Sequence, residues 1–200
     1  MTDHVLINIP VQYQSIALKT KALGFDMPSD LQTGSLLQTL VAAKPGGRIL
    51  ELGTGTGLAT SWILGGMSNN ASLVSVDNNE LLISVAKEQL KDERIDFVCA
   101  DAYEWIAAYK GAQFDLIFAD AMPGKYDLFE ETFALLKTGG IYFIDDMLPQ
   151  PNWPEGHAQR VTAFIATLET RTDLVLTKLH WSTGIIIVTK TSNFKLQTQQ

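Results

Sequence analysis

The chain has few cysteines, no excess of basic residues and no long apolar runs, and each shortage removes a class of protein. Cys99 is the only cysteine in 200 residues, so no intrachain disulfide can form and a reducing, cytoplasmic setting is expected. It lies in the run Phe97-Val98-Cys99-Ala100, where the expectation is a buried, inert thiol. Lys and Arg total 15 against 22 Asp and Glu, a formal net charge of −7. That balance leaves no basic footprint for nucleic acid or an anionic membrane and favours a small-molecule partner. No apolar run approaches the roughly 18–20 residues of a membrane helix. Met1-Thr2-Asp3-His4 lacks the basic start and apolar core of a secretory leader, so none is expected. Internal repeats are lacking too, and the one low-complexity stretch is a short polar tail ending Gln197-Thr198-Gln199-Gln200. With 46% apolar residues, this length suits one α/β domain around a single substantial core.

What the chain does have is concentrated at residues 49–57, Ile-Leu-Glu-Leu-Gly-Thr-Gly-Thr-Gly. The run Arg48 to Leu52 reads as a buried strand that stops at Gly53, Gly55 and Gly57, and a helical segment follows from Leu58 to Met67. Glycine lacks a Cβ, so the backbone there can turn sharply and lie against a ligand. Strand, glycine turn and helix open a nucleotide-type site at the carboxyl edge of a parallel sheet. A dinucleotide fingerprint G-x-G-x-x-G started at Gly53 needs glycine at 58, where Leu58 stands; started at Gly55, it ends on Thr60. A dehydrogenase is disfavoured on that ground. The pattern present, E-x-G-x-G-x-G, resembles the first motif of class I S-adenosylmethionine (SAM) methyltransferases.

Strand and helix patterns then alternate. Leu73 to Asp77, Ile95 to Ala100, Phe114 to Ala119 and Ile141 to Ile144 read as strands. Between them lie helical spacings at Leu81, Leu82, Val85, Ala86 and Leu90; at Tyr103, Trp105, Ile106 and Tyr109; and at Tyr126, Phe129, Phe133 and Leu136, the last stopped by a Gly139-Gly140 C-cap. A helix over Val161, Phe164, Ile165 and Leu168 precedes two apolar runs, Leu174 to Leu179 and Gly184 to Val188, joined by Trp181-Ser182-Thr183-Gly184 as an antiparallel hairpin. The expected fold is α/β, a three-layer, Rossmann-like, seven-stranded and mostly parallel sheet. The expected partition is one domain over 1–200, with helices in 1–44, an α/β core over 45–190 and a tail over 191–200. Leu31, Leu36, Leu37, Leu40 and Val41 would form the apolar side of the second N-terminal helix.

Four strands end in acid: Asp77, Asp101, Asp120 and the pair Asp145-Asp146. Side chains at the carboxyl ends of such strands face the ligand crevice. A carboxylate at Asp77, with Asn78 beside it, can accept two hydrogen bonds from a ribose diol. Asp101 and Ala102 lie where an adenine edge would come. Glu51 and the loop of Gly53, Thr54, Gly55 and Gly57 can hold an amino-acid end, with Asp120 closing the cofactor side.

From about Leu31 to Lys190 the chain resembles the cation-dependent O-methyltransferases of the caffeoyl-CoA and catechol type. The resemblance rests on Thr33-Gly34-Ser35-Leu36-Leu37, on Leu50-Glu51-Leu52-Gly53-Thr54-Gly55-Thr56-Gly57 and on Phe114-Asp115-Leu116-Ile117-Phe118-Ala119-Asp120-Ala121. It continues through Leu135-Leu136-Lys137-Thr138-Gly139-Gly140-Ile141 and Ile144-Asp145-Asp146-Met147-Leu148. It implies SAM as cofactor, methylation of a hydroxyl on a small, aromatic acceptor, and a homodimer; a related bacterial branch acts on a tRNA base hydroxyl. It also implies a divalent cation such as Mg²⁺ on Asp120, Asp145 and Asp146, lowering the pKa of the acceptor hydroxyl.

Two departures leave the metal question open. The family's metal-binding Asn is Asp146 here, and its lysine, three positions after the first acid, is Pro123. Lys125 stands two positions further on and is carried as a catalytic candidate together with Asp120 and His157. Metal-assisted and metal-free transfer therefore both stand. The segment Leu148-Pro149-Gln150-Pro151-Asn152-Trp153-Pro154-Glu155-Gly156-His157 offers Trp153 as an aromatic wall and His157 as general base. The plainer reading packs Trp153 under the loop and starts a helix at His157. His4 and His180 are expected to be structural or exposed. Competing readings are an N-nucleophile or tRNA-base acceptor and a catalytically silent SAM-binding module.

Overall fold

The computed structural model describes residues 8–192. Two helices, α1 (Tyr13–Ala22) and α2 (Leu31–Ala42), precede the sheet. The core then runs β1 (Arg48–Leu52), α3 (Leu58–Gly66), β2 (Ser72–Asp77), α4 (Glu80–Gln89), β3 (Ile95–Cys99), α5 (Ala102–Ala108), β4 (Phe114–Ala119), α6 (Phe129–Ala134) and β5 (Leu136–Ile144). It closes with α7 (His157–Glu169), β6 (Leu174–Leu179) and β7 (Ile185–Lys190). The tail residues 193–200 and His4 lie outside the described residues.

The seven strands form one sheet in the order β3-β2-β1-β4-β5-β7-β6. The first five are parallel, and β7 pairs antiparallel with both β5 and β6. Alternation along each strand sends side chains to opposite faces. Leu50, Ile117 and Tyr142 pack with Phe129 and Phe164 on one face, while Ile49, Leu116 and Phe143 pack with Leu37 and Ile63 on the other. Both faces are covered, which is why these strands read as continuous apolar runs. Strand order reverses between β1 and β4, and the crevice at that switch point is where ligands of open α/β sheets bind.

Polar residues that end the strands also start the helices. Asp101 Oδ1 accepts from the amide of Tyr103 at 2.7 Å and caps α5; Asn79 Oδ1 accepts from Leu82 N at 3.2 Å and caps α4. Asp30 caps α2 in the same way, through Thr33 N at 2.8 Å. Each cap satisfies an orphan donor of the first helical turn.

Several expectations need correction. The stripe from Tyr126 to Leu136 is not one helix. Only Phe129–Ala134 is helical, and Leu136 already pairs with Phe114 in β5. Gly139-Gly140 therefore caps nothing; the pair sits in β5 where register shifts, Phe114 facing Leu136 and Leu116 facing Ile141. Cys99 is exposed, because β3 is an edge strand with one neighbour and incomplete cover. On α4 the inward arc takes Leu82, Ile83, Val85 and Ala86, and Leu81 falls just outside it, exposed. On α2 the buried side is Thr33, Gly34, Leu37 and Val41, while Leu31 is exposed. Among the described residues no helix is long and apolar enough to cross a membrane.

Candidate active site

A cavity of about 830 Å³ opens at the carboxyl edge of the sheet, over the switch point. Of the expected site residues, all but Glu51 and Gly57 line it. Its floor is the glycine turn. Gly53 has φ +98°, and a Cβ there would lie 2.6 Å from the carbonyl oxygen of Asp120. Asp120 N donates to Leu52 O at 3.0 Å, so the ends of β1 and β4 touch at this glycine. The Asp77 carboxylate ties the turn to β2: Oδ2 accepts from Gly55 N and Oδ1 from Asn79 N, each at 2.8 Å. A carboxylate has about four acceptor sites, so Asp77 keeps capacity for a ligand diol.

Glu51 lies beneath the turn instead of on the cavity wall. It is fully buried, and its Oε2 accepts from Thr60 Oγ1 at 2.6 Å and Ser75 Oγ at 2.5 Å. Ser75 in turn shares a 2.6 Å hydrogen bond with Thr54, which does line the cavity. Glu51 Oε1 is buried without a partner. Burial, reinforced by the Asp120 and Asp77 charges, pushes this carboxyl up to about 8. At neutral pH it is mostly a neutral acid bracing Thr54 through Ser75.

One wall was not foreseen. Residues 25–29, between α1 and α2, fold over the turn. Phe25 sits beside Gly55, where an added Cβ would lie 3.3 Å from its ring, and Ser29 Oγ donates to Asp120 Oδ2 at 3.2 Å. Asp30, the N-cap of α2, closes this segment, and nothing in its local sequence indicates that it crosses the crevice.

At the other end stand Asp120, Asp145 and Asp146 with Lys125. The Lys125 side chain is only 5% exposed and its Nζ lies 3.6 Å from Asp120 Oδ1. Asp145 Oδ1 accepts from Thr183 Oγ1, Asp146 N at 2.8 Å and Thr33 Oγ1 at 3.4 Å. Asp146 sits at φ +61° with its Oδ2 accepting a hydrogen bond from Trp153 Nε1 at 3.1 Å. Burial raises Asp120; Lys125 pulls it down and Asp146 pushes it up. Asp145 is raised by burial and then by the Asp120 charge. Asp120, Asp145 and Asp146, the expected cation ligands, all line this end of the cavity. Among the described residues no group of three or more His, Cys, Asp or Glu is placed to hold a metal ion. Each of the three carboxylates accepts from a protein donor, and the positive charge beside Asp120 is the Lys125 ammonium.

An aromatic group adjoins this end. His157 begins α7, as the plainer reading had it, and it also lines the cavity. Its ring meets Trp153 at 4.5 Å and stands edge-on to Tyr126 at 5.2 Å. Desolvation lowers the His157 pKa below 6.5; Asp146 opposes that shift, and Lys125 and Arg160 assist it. Its imidazole is therefore neutral near pH 7 and able to accept a proton. Tyr126 is held protonated, raised by burial and then by Asp146.

Fold and site define the class first: this is the class I methyltransferase fold. An O-methyltransferase of Bacillus cereus solved in complex with SAH superposes with a TM-score of 0.82 at 21% identity, covering 94% of each chain. TomG of Streptomyces achromogenes, an O-methyltransferase of tomaymycin synthesis solved with SAM, gives 0.79 at 21% identity over 91% of this chain and 90% of that one. In sequence, residues 49–140 match the methyltransferase domain family. A protein of Mycobacterium ulcerans (strain Agy99), provisionally named an O-methyltransferase, is 30% identical over 117 residues, 56% of this chain and 52% of that protein. The chain spans about half the length of the curated relatives it matches.

Proposed function

We propose that the chain transfers a methyl group from SAM to a hydroxyl of a small aromatic acceptor. One observation carries this reading: a single continuous cavity joins the glycine turn and Asp77 to the Tyr126, Trp153 and His157 group, with Lys125 between charged walls. The space lies within the ~300–1,000 Å³ of small-molecule sites. Its cofactor half fits SAM, since Gly53 and Gly55 present bare backbone to the cavity and Asp77 and Asp101 place acceptors at the ends of β2 and β3. When bound, SAM supplies an electrophilic methyl on a sulfonium, which an attacking oxygen takes as the S–C bond breaks and its electron pair returns to sulfur.

The chain's own residues do the rest. Asp77 holds the ribose, and the turn amides hold the amino-acid end. The net-negative edge favours a cationic cofactor. Trp153 and Tyr126 position an aromatic ring, and residues 25–29 cover the cofactor side against water. Neutral His157 takes the proton of the acceptor hydroxyl as the oxygen attacks.

Calorimetric titration with S-adenosylhomocysteine tests the cofactor. Saturable binding is expected, and an absence of heat would end the reading. Asp77→Ala should weaken that binding at least about 10²-fold, since it removes two charge-assisted hydrogen bonds worth about 1.5–3 kcal/mol each and frees Gly55. An unchanged affinity would reassign the ribose. For the base, kcat/KM toward a catechol-type acceptor should fall on the acid side, below the ordinary imidazole value of 6.5, as His157 takes up a proton. His157→Gln should cost roughly 10²–10⁴-fold and lose that limb. Survival of the limb in the variant would place the base elsewhere.

A further inference from the structure

We propose that the Lys125 ammonium takes the place of a divalent cation, so that the acceptor oxygen is held by a fixed protein charge. This rests on the methyl-transfer reading for the identity of the oxygen, though not for the occupancy of the site. Among the described residues that line the cavity, Lys125 is the one Lys or Arg, and it faces the end where Asp120, Asp145 and Asp146 gather. An ammonium is compact and point-like. A dication placed between the same carboxylates would meet that charge at close range in a poorly hydrated setting.

The loop after β4 is built to put the lysine there. Gly124 adopts φ +84°, and a Cβ on it would lie 2.4 Å from Leu52 Cδ1. The loop is thus pressed onto the end of β1. Tyr142 Oη donates to Gly124 O from below. Gly124 N donates to Asp127 O at 2.7 Å and Lys125 N to Met122 O at 3.3 Å. This tight turn folds the chain back on itself. It returns a lysine two positions later than the family's to the first acid, and the Tyr126 ring lies 5.8 Å from its Nζ. The carboxylates are held to match: Ser29 on Asp120, Thr183 and Thr33 on Asp145, Trp153 on Asp146. The acceptor's proton goes to His157, and the ammonium stabilises the oxygen as it gains negative charge.

The test is Mn²⁺ binding, followed by calorimetry and by the paramagnetic signal of the free ion, for the wild-type chain and for Lys125→Met, with Lys125→Gln as a second variant should the first not fold. The wild type should bind no Mn²⁺ at millimolar concentration, and its turnover should be indifferent to EDTA. Removing the ammonium should leave three carboxylates without a cation and raise Mn²⁺ affinity by at least about tenfold. Stoichiometric Mn²⁺ binding by the wild type, turnover abolished by EDTA, or a variant that binds no better than the wild type would each overturn the proposal. A failed methyl-transfer reading would show separately, as no binding of S-adenosylhomocysteine with the Mn²⁺ results unchanged.

Discussion

Gly53→Ala is expected to abolish measurable S-adenosylhomocysteine binding, a loss of at least about 10²-fold, and to lower stability by roughly 3 kcal/mol. Two costs add. An alanine at φ +98° is held in the left-handed half of backbone space, worth about 1–2 kcal/mol. Its Cβ would also stand 2.6 Å from the Asp120 carbonyl oxygen, a backbone atom that cannot swing aside. Relief requires the ends of β1 and β4 to part, which moves Asp120 and the floor of the cavity together. Gly139→Ala is the matched control. Its φ is +78° and nothing lies within 4 Å of the added carbon, so only the conformational cost of about 1 kcal/mol applies. Calorimetry and thermal melts on both variants separate the terms. Equal losses of affinity would mean that the contact with Asp120 does not shape the site.

The central strands β1, β4 and β5 were readable because they are buried on both faces, and β2 and β3 because each is followed by a polar residue that caps the next helix. Leu52 before Gly53, Asp77 before Asn79 and Ala119 before Asp120 mark their ends by chemistry alone. Where tertiary contact overrides local pattern, reading failed. Phe129, Phe133 and Leu136 share a helical spacing, yet Leu136 is claimed by its pairing with Phe114. Cys99 looked buried in an apolar run, but burial of a strand depends on its place in the sheet, and β3 is at the edge. In the site, the acids at strand ends were legible. The wall at residues 25–29 was not, because its position depends on contacts with Gly55 and Asp120 distant in sequence. Lys125 was in sight but not its direction, which depends on a turn at Gly124 packed on Leu52.

Glu51→Gln is expected to remove a pH dependence of stability and to leave the fold intact. An unfolded glutamate releases its proton near 4.5, whereas the folded chain holds the Glu51 proton until about 8, chiefly because the carboxyl is buried. Across that window the folded state binds more protons than the unfolded one, so stability falls as pH rises and the loss is complete above about 8. For one fully buried group the total is on the order of 3–5 kcal/mol. Buried Asp145, also raised, adds to the same downward slope, so the difference between wild type and variant isolates Glu51. Glutamine keeps an acceptor for the Thr60 and Ser75 hydroxyls and puts an amide where Oε1 now has no partner. Denaturant unfolding at pH 5 and pH 8 should show the wild type losing several kcal/mol more than Glu51→Gln, which should be the more stable of the two at pH 8. If both lose the same amount, Glu51 is ionised in the folded chain, and the hydroxyl relay through Ser75 to Thr54 braces an anion instead of a neutral acid.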